Sequence, residues 1–378
     1  MLVQLNKLSL LVALLVLTSC SNFSLKDHIK GDTHVISPFY ALWSRNLDPN
    51  YDTGNLPIAL QAPLIYEGLL FIGSNNGQMN AFDVSNGRPV WESVEGGEFH
   101  ARPVVYKDQL IYGNSSGRVF SRNLYTGELK YSVDLDSSIE SQGLVQDGRL
   151  IFHTRGHKIF TLDVETGKIL WAYRRSVPFL TTVQRVARPM IYKGKIIVGF
   201  ADGTAAAFSL EEGVLLWEQK LSIGSKFVDV DADPIIFGGK LVMGSREGNL
   251  SLLNPETGSV VREFEDAIGR TPVVYENKMY VMTTDGRLMV FDSNFKELAN
   301  TLVDPVGLSN IAPWRGGWFV TTLGREVYYL NDKFEKVAVK ELGHSSSAVF
   351  GKVETWEGKL ALITSRNRLY IFGSPYSE

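Results

Sequence analysis

Four groups of residues in this 378-residue chain have types and spacings that could do chemistry. Arg174, Arg175, Arg185 and Arg188 are interleaved with Val177, Phe179, Leu180 and Val183. Further on, Asp229, Asp231 and Asp233 alternate with Val230 and Ala232. His153 and His157 flank an Arg155-Gly156 pair, and one cysteine, Cys20, follows Leu17-Thr18-Ser19. A guanidinium is planar and can hold a carboxylate through two hydrogen bonds, so the arginine and aspartate groups are complementary. In an extended segment the three aspartates fall on one side. Three carboxylates could also hold Ca²⁺. The two histidines could meet across a hairpin and hold a metal, or simply form a polar hairpin tip. His28, His34, His100 and His344 are scattered. A single thiol makes neither an intrachain disulfide nor a cysteine-ligated zinc or iron–sulfur site. No nucleophile–base pair stands out. Gly77, Gly117 and Gly203 sit between strand-like runs with no helix following, which does not suit a phosphate loop. The expectation is no catalytic residue, no metal and no cofactor.

Cys20 matters by its position. Residues 8–17 are an apolar run of ten behind Lys7, suited to a signal-peptide core and too short to span a bilayer. Leu17-Thr18-Ser19-Cys20 resembles the bacterial lipobox, in which an aliphatic and two small residues precede the cysteine that receives lipid. The resemblance implies a signal peptide over residues 1–19, lipid on Cys20 and a tether over residues 20–38. Multiple acyl chains anchor stably where one is marginal. Ser21, rather than Asp, after the cysteine implies the periplasmic face of the outer membrane.

The remaining residues supply the frame. The chain is 44% hydrophobic and 11% aromatic, enough to offset chain entropy. A formal net charge of -3 gives no field that would draw it to nucleic acid. Beyond residue 38 the sequence repeats. One frame is Pro, an aliphatic pair and an aromatic, as in Arg102-Pro103-Val104-Val105-Tyr106 and Arg188-Pro189-Met190-Ile191-Tyr192. A second is a hairpin turn at Gly77, Gly117, Gly156, Gly203, Gly248, Gly286, Gly324 and Asn367, recurring every 38 to 47 residues. Glycine, or asparagine in its place, supplies the positive φ of such turns. A third is Leu162-Asp163-Val164-Glu165-Thr166-Gly167 followed by Trp171; around Asp292 and Asn331 it is degraded, with Phe295 and Phe334 near the glycine position. About four short strands per unit of 40-odd residues predict an all-β, single eight-bladed β-propeller over residues 39–376. The eighth unit has three strands, and Trp43 lies at the far end of the chain in an unpaired strand-like run. N- and C-terminal strands therefore close the last blade and leave no open edge. The repeated tryptophans are expected to pack neighbouring sheets. The links after units three and four are five or six residues longer than the others, and functional residues concentrate in such loops. Arg185 or Arg188 is expected to pair with Asp229 or Asp231 and hold the first link up as a docking ridge.

The Asp-x-x-Thr-Gly-x-x-x-Trp repeat resembles the PQQ-like, quinoprotein-type propellers. With the lipobox and eight units, the chain resembles the BamB family of lipoproteins of the outer-membrane β-barrel assembly (Bam) machine. That resemblance implies a non-enzymatic scaffold that binds the POTRA domains of BamA and could also present edges or loops to unfolded outer-membrane proteins. It implies partner-binding residues in the two long links. Asp229-Val230-Asp231-Ala232-Asp233-Pro234 matches the family's second contact motif. The Leu-x-Leu-Arg-Gly-like first motif falls on Thr181, Val183 and Gln184, with Arg185 one residue late and Arg188 nearby. The alternatives are a periplasmic PQQ-dependent oxidoreductase and a generic protein-interaction propeller. Such dehydrogenases typically hold the quinone near the propeller axis, often beside a Cys–Cys disulfide. This chain has no second cysteine, and minimal repeat units take up nearly all of it after residue 39.

Overall fold

The computed structural model describes residues 37–50, 60–177, 186–224, 228–245, 249–265, 268, 270–343 and 347–374. Cys20, the lipobox and most of the tether lie outside the described residues. The strands, numbered in chain order to β32, form eight antiparallel four-stranded sheets. Blade 1 is β2 (Leu64–Tyr66), β3 (Leu69–Gly73), β4 (Gln78–Asp83) and β5 (Pro89–Val94). Blades 2 to 7 repeat this order through residue 341. Blade 8 is β30 (Glu354–Trp356), β31 (Lys359–Ile363) and β32 (Arg368–Phe372), completed by β1 (Ala41–Asn46). Trp43 lies opposite Ile371 and Arg45 opposite Leu369, so the two ends of the chain share one sheet. The protein is an eight-bladed β-propeller closed by its N- and C-terminal strands.

The strand sequences follow from how blades stack. β3 and β4 are buried on both faces: β3 reads as a continuous apolar run (LLFIG), and β4 (QMNAFD) buries Met79, Asn80, Ala81 and Phe82 between half-buried polar ends. The outermost β5 alternates buried and exposed positions, because it borders solvent. The core is not central. It is eight separate layers, one in each gap between neighbouring blades. The layer formed by Ile65, Leu70, Ala361 and Ile371 joins blades 1 and 8.

Each repeat tryptophan crosses such a gap. Trp91 Nε1 donates to Leu124 O of the next blade (2.9 Å), and its ring lies over Gly127. Trp43 does the same at Val84 O and Gly87, Trp171 at Leu210 O and Gly213, and Trp217 at Pro255 O and Gly258. In blade 2 Tyr131 replaces the indole, its hydroxyl donating to Val164 O (3.0 Å). Three outermost strands carry Arg262, Ala299 and Ala338 at the tryptophan's register position. Two of those gaps are filled from the opposite side. Phe295, at φ 60° in a turn one residue shorter, packs edge-on against Phe237 of blade 5. Phe334, at φ 64°, packs on Tyr280 and Trp318. The degraded signature is thus an exchange of partners across the gap.

Two turn assignments need correction. The expected glycine or asparagine takes positive φ at Gly77, Gly117, Gly203, Gly286 and Asn367. In blade 3, however, the left-handed residue is His157 (φ 55°), one position after Gly156, and in blade 7 Gly324 does not adopt positive φ. The blade 5 turn at Gly248 lies outside the described residues.

Candidate functional site

The links from one blade's outermost strand to the next blade's innermost strand lie on the face that carries the Gly77-type turns. The link after blade 3 rises from Arg175. Its backbone N–H donates to His157 O (3.0 Å), and its Nε donates to Asp202 Oδ2 (2.7 Å). Its two Nη atoms donate to the Glu218 carboxylate (2.8 and 3.1 Å), and the guanidinium lies 4.9 Å from the centre of the Phe200 ring. The Glu218 bonds, then Asp202, raise the Arg175 pKa, and Arg175 holds Glu218 below the usual carboxylate range. One arginine thus clamps the link to the turn and outer strand of blade 4. The link descends through buried Val186 and Ala187. His153 Nδ1 lies 3.2 Å from Ala187 O, so the described tautomer donates to that carbonyl.

The link after blade 4 starts with Leu221 and Ser222, whose N–H groups donate to Gly203 O. Ile223 is 91% exposed. Beyond it, Val228, Asp229, Val230, Asp231 and Ala232 are all buried. Val230 N–H donates to Phe200 O (3.1 Å), and a Cβ on Gly199 would collide with Val230 O. The expected alternation is present, but both sides of the segment are covered, so Asp229 and Asp231 face the interior of the link. Asp233 accepts from the Arg188 backbone N–H (2.9 Å) and pairs with Lys352 Nζ (3.1 Å). Arg188 therefore meets Asp233 rather than Asp229 or Asp231. Any pairing by Arg185 lies outside the described residues, as do Thr181, Val183 and Gln184.

At the axis, several polar residues that precede a blade's repeat proline, or stand at its register position, stitch neighbouring blades. Arg102 Nε donates to Pro63 O (3.1 Å) and Gln142 Nε2 to Pro103 O (3.0 Å). Thr271 Oγ1 accepts from Asp233 N–H (2.9 Å), and Asn310 Nδ2 donates to Gly351 O (3.0 Å). Arg102 also pairs with Glu354 of blade 8. The Lys352–Asp233 bridge spans the channel between blades 8 and 5. The polar residue before proline was visible in the repeat frame, but only the closed ring shows what it does.

His153 and His157 do come together, with ring centroids 6.5 Å apart. They do not form a polar tip, because His153 is 1% exposed. Among the described residues no group of three or more His, Cys, Asp or Glu could hold a metal ion.

The sequence profile of the family described as "Outer membrane protein assembly factor BamB" matches residues 42–133 and 123–294, about two thirds of the chain and both long links. The chain belongs to the BamB family. The outer membrane protein assembly factor BamB of Kangiella koreensis is 27% identical to it over 128 residues, 32% of this chain and 33% of that protein. The chain thus aligns with about a third of that relative's length. BamB from Moraxella catarrhalis superposes with a TM-score of 0.74 at 20% identity, over 89% of this chain and all of that one. A quinohemoprotein alcohol dehydrogenase from Pseudomonas putida HK5 superposes at 0.66 with 12% identity, over 90% and 78% of the two chains. At such identities the superpositions speak for the fold alone. Within the BamB frame, the Asp-Val-Asp stretch at 229–231 is a buried strut. Ile223, absent from the sequence-level candidates, is the exposed apolar group beside it; a lone isoleucine in a linker carries no signal in sequence.

Proposed function

We propose that this chain is a lipid-anchored, non-enzymatic scaffold of the outer-membrane β-barrel assembly machinery, held by Cys20 on the periplasmic face and binding the POTRA domains of BamA. The observation that carries the reading is the family match across both long links. The partner residues are Thr181, Val183, Gln184 and Arg185 of the first link with Ile223 of the second. Asp229 and Asp231 act from beneath as positioning residues, and Arg188 sits at the foot. Apolar and arginine anchors on a rigid frame suit the hot-spot pattern of protein interfaces. Unfolded outer-membrane proteins are a second class of client, engaged at blade edges by strand addition.

The first test is affinity capture of the native lipoprotein from gently solubilised membranes. BamA is expected in the eluate. Its absence, or dye reduction by the purified protein with PQQ and Ca²⁺, sinks the scaffold reading. Ile223→Asp is expected to weaken BamA capture about tenfold while leaving the unfolding midpoint unchanged. Asp231→Asn is expected to lower capture and stability together, because it alters a buried group. Undiminished capture by both variants, with Arg185→Glu added, removes the proposed surface. Cys20→Ser is expected to move the protein from the membrane to the soluble fraction.

A further inference from the structure

Among the described residues, the axial funnel holds a charged side chain that the fold does not pair. At its mouth on the link face stand Arg102, Arg188, Lys352, Glu140, Asp233 and, beside them, Glu354. Arg102 pairs with Glu354, Lys352 with Asp233, and Arg155 reaches Glu140 (3.1 Å). Arg188 is left over. Its backbone N–H is bound, but its guanidinium makes no hydrogen bond or ion pair within 4 Å among the described residues, and its Nε is buried without a partner. Asp233 is close enough to act on it, yet its oxygens already receive Lys352 Nζ and the Arg188 backbone N–H. Burial pushes the Arg188 pKa down, and the like charge of Arg102 pushes the same way.

A partly buried guanidinium without a partner is costly, because desolvation is not offset by hydrogen bonds. The groups around it are donors or are already engaged, so the Arg188 guanidinium suits an anion. The space at the mouth is about 70 Å³, and Arg188, Asp233 and Lys352 also line the next chamber of about 230 Å³. The mouth has room for a carboxylate or phosphate group with little besides. We propose that the link-face mouth of the axial funnel binds a single oxyanion, a carboxylate or a phosphate, on the Arg188 guanidinium with Arg102 alongside. The planar fork reads two oxygens of such a group at once. Occupancy offsets the Arg188 charge and locks blade 4's entry to blades 2, 5 and 8. The inference stands independently of any partner protein.

The test uses the full chain in detergent at matched ionic strength, with thermal unfolding followed in chloride, acetate, phosphate or N-acetyl-aspartate amide. Phosphate or one of the carboxylates is expected to raise the midpoint over chloride by about 2 °C at tenfold excess over its dissociation constant. Titration calorimetry is expected to give one site per chain. A response to phosphate alone identifies a free inorganic ion as the occupant. A response to the aspartate amide identifies a peptide carboxylate. Arg188→Gln is expected to abolish the shift. Arg188→Lys, which keeps the charge and loses the fork, is expected to weaken binding about tenfold. If no anion outperforms chloride on the wild type, or if Arg188→Gln and Arg188→Lys bind as the wild type does, the site does not exist.

Discussion

Gly127→Val is expected to cost about 3–5 kcal/mol of stability, as much as removing the indole above it with Trp91→Ala. A Cβ at residue 127 would lie 2.7 Å from Trp91 Cδ2, and the residue's φ is +73°. Valine there is strained in its backbone and also lifts the ring from its seat. The lifted indole loses its bond to Leu124 O and its packing against Phe71, 6.0 Å away between ring centroids. Both variants dismantle the same junction, so the double mutant is expected to cost well under the sum. Urea unfolding of the four proteins checks this. A cost below about 1 kcal/mol for Gly127→Val, or full additivity, would mean that the glycine and tryptophan do not act as one device. The blade 6–7 gap offers the reverse experiment. Ala299→Trp alone is expected to destabilise, because Phe334 already occupies the gap from the other side. Adding Phe334→Gly is expected to restore much of the loss, since it recreates the pairing used at the other junctions.

The same junctions show what sequence could reveal. The turns, the tryptophans and the incomplete last unit are local signals with a fixed period, and each depends on one or two residues having a special shape. That was enough to set the number of blades and to pair the run at Trp43 with the C-terminal strands. Phe295 and Phe334 looked like decay of the pattern because their partners, Phe237 and Tyr280, belong to the preceding repeat unit. Only contacts between units show that the gap is still filled. The aspartates of the second long link were legible as an alternating set but not as a buried one. Alternation fixes which side of an extended segment a residue takes, but it does not say whether that side meets solvent. Here the link crosses Gly199 and Phe200 closely enough to bury both sides. Likewise, Arg102, Asp233 and Thr271 were legible as residues before the repeat proline, and Gln142 as the residue before the glycine in its place. Their roles as stitches required the ring to close and bring backbone groups of the neighbouring blade within reach.

The pH response of the molecule is expected to run through His153. This ring is fully enclosed, holds Ala187 O with Nδ1, and meets the Phe200 ring edge-on at 5.2 Å. Its Nε2 has no hydrogen-bond partner among the described residues. Burial lowers its pKa from 6.5 to about 4; the Ala187 carbonyl partly opposes this, and His157 alongside lowers it further. His157 is itself lowered by burial and by Arg175, against Asp202. Above pH 6.5 the imidazole of His153 is neutral in both folded and unfolded chains and contributes no pH dependence. Between pH 6.5 and about 4 the unfolded chain takes up a proton that the folded one refuses, so stability falls as the pH drops, by about 3 kcal/mol in all. Below about pH 4 both states are protonated and this contribution levels off. Carboxylates titrate in the same acid range, so the measurement is a difference. Urea midpoints for the wild type and His153→Gln are compared at pH 7.5, 5.5 and 4.5. Gln keeps a donor for Ala187 O and has no proton to gain. The variant is expected to lose stability at neutral pH through imperfect packing and then to lose less than the wild type on acidification. Parallel curves would mean that His153 binds its proton equally well in both states. The consequence is local as well as global, because Ala187 O belongs to the descending limb of the first long link. Charging His153 in the folded chain, which begins only as the pH approaches 4, loosens the base of the first long link, so BamA capture by the wild type is expected to weaken toward pH 4 more steeply than capture by His153→Gln.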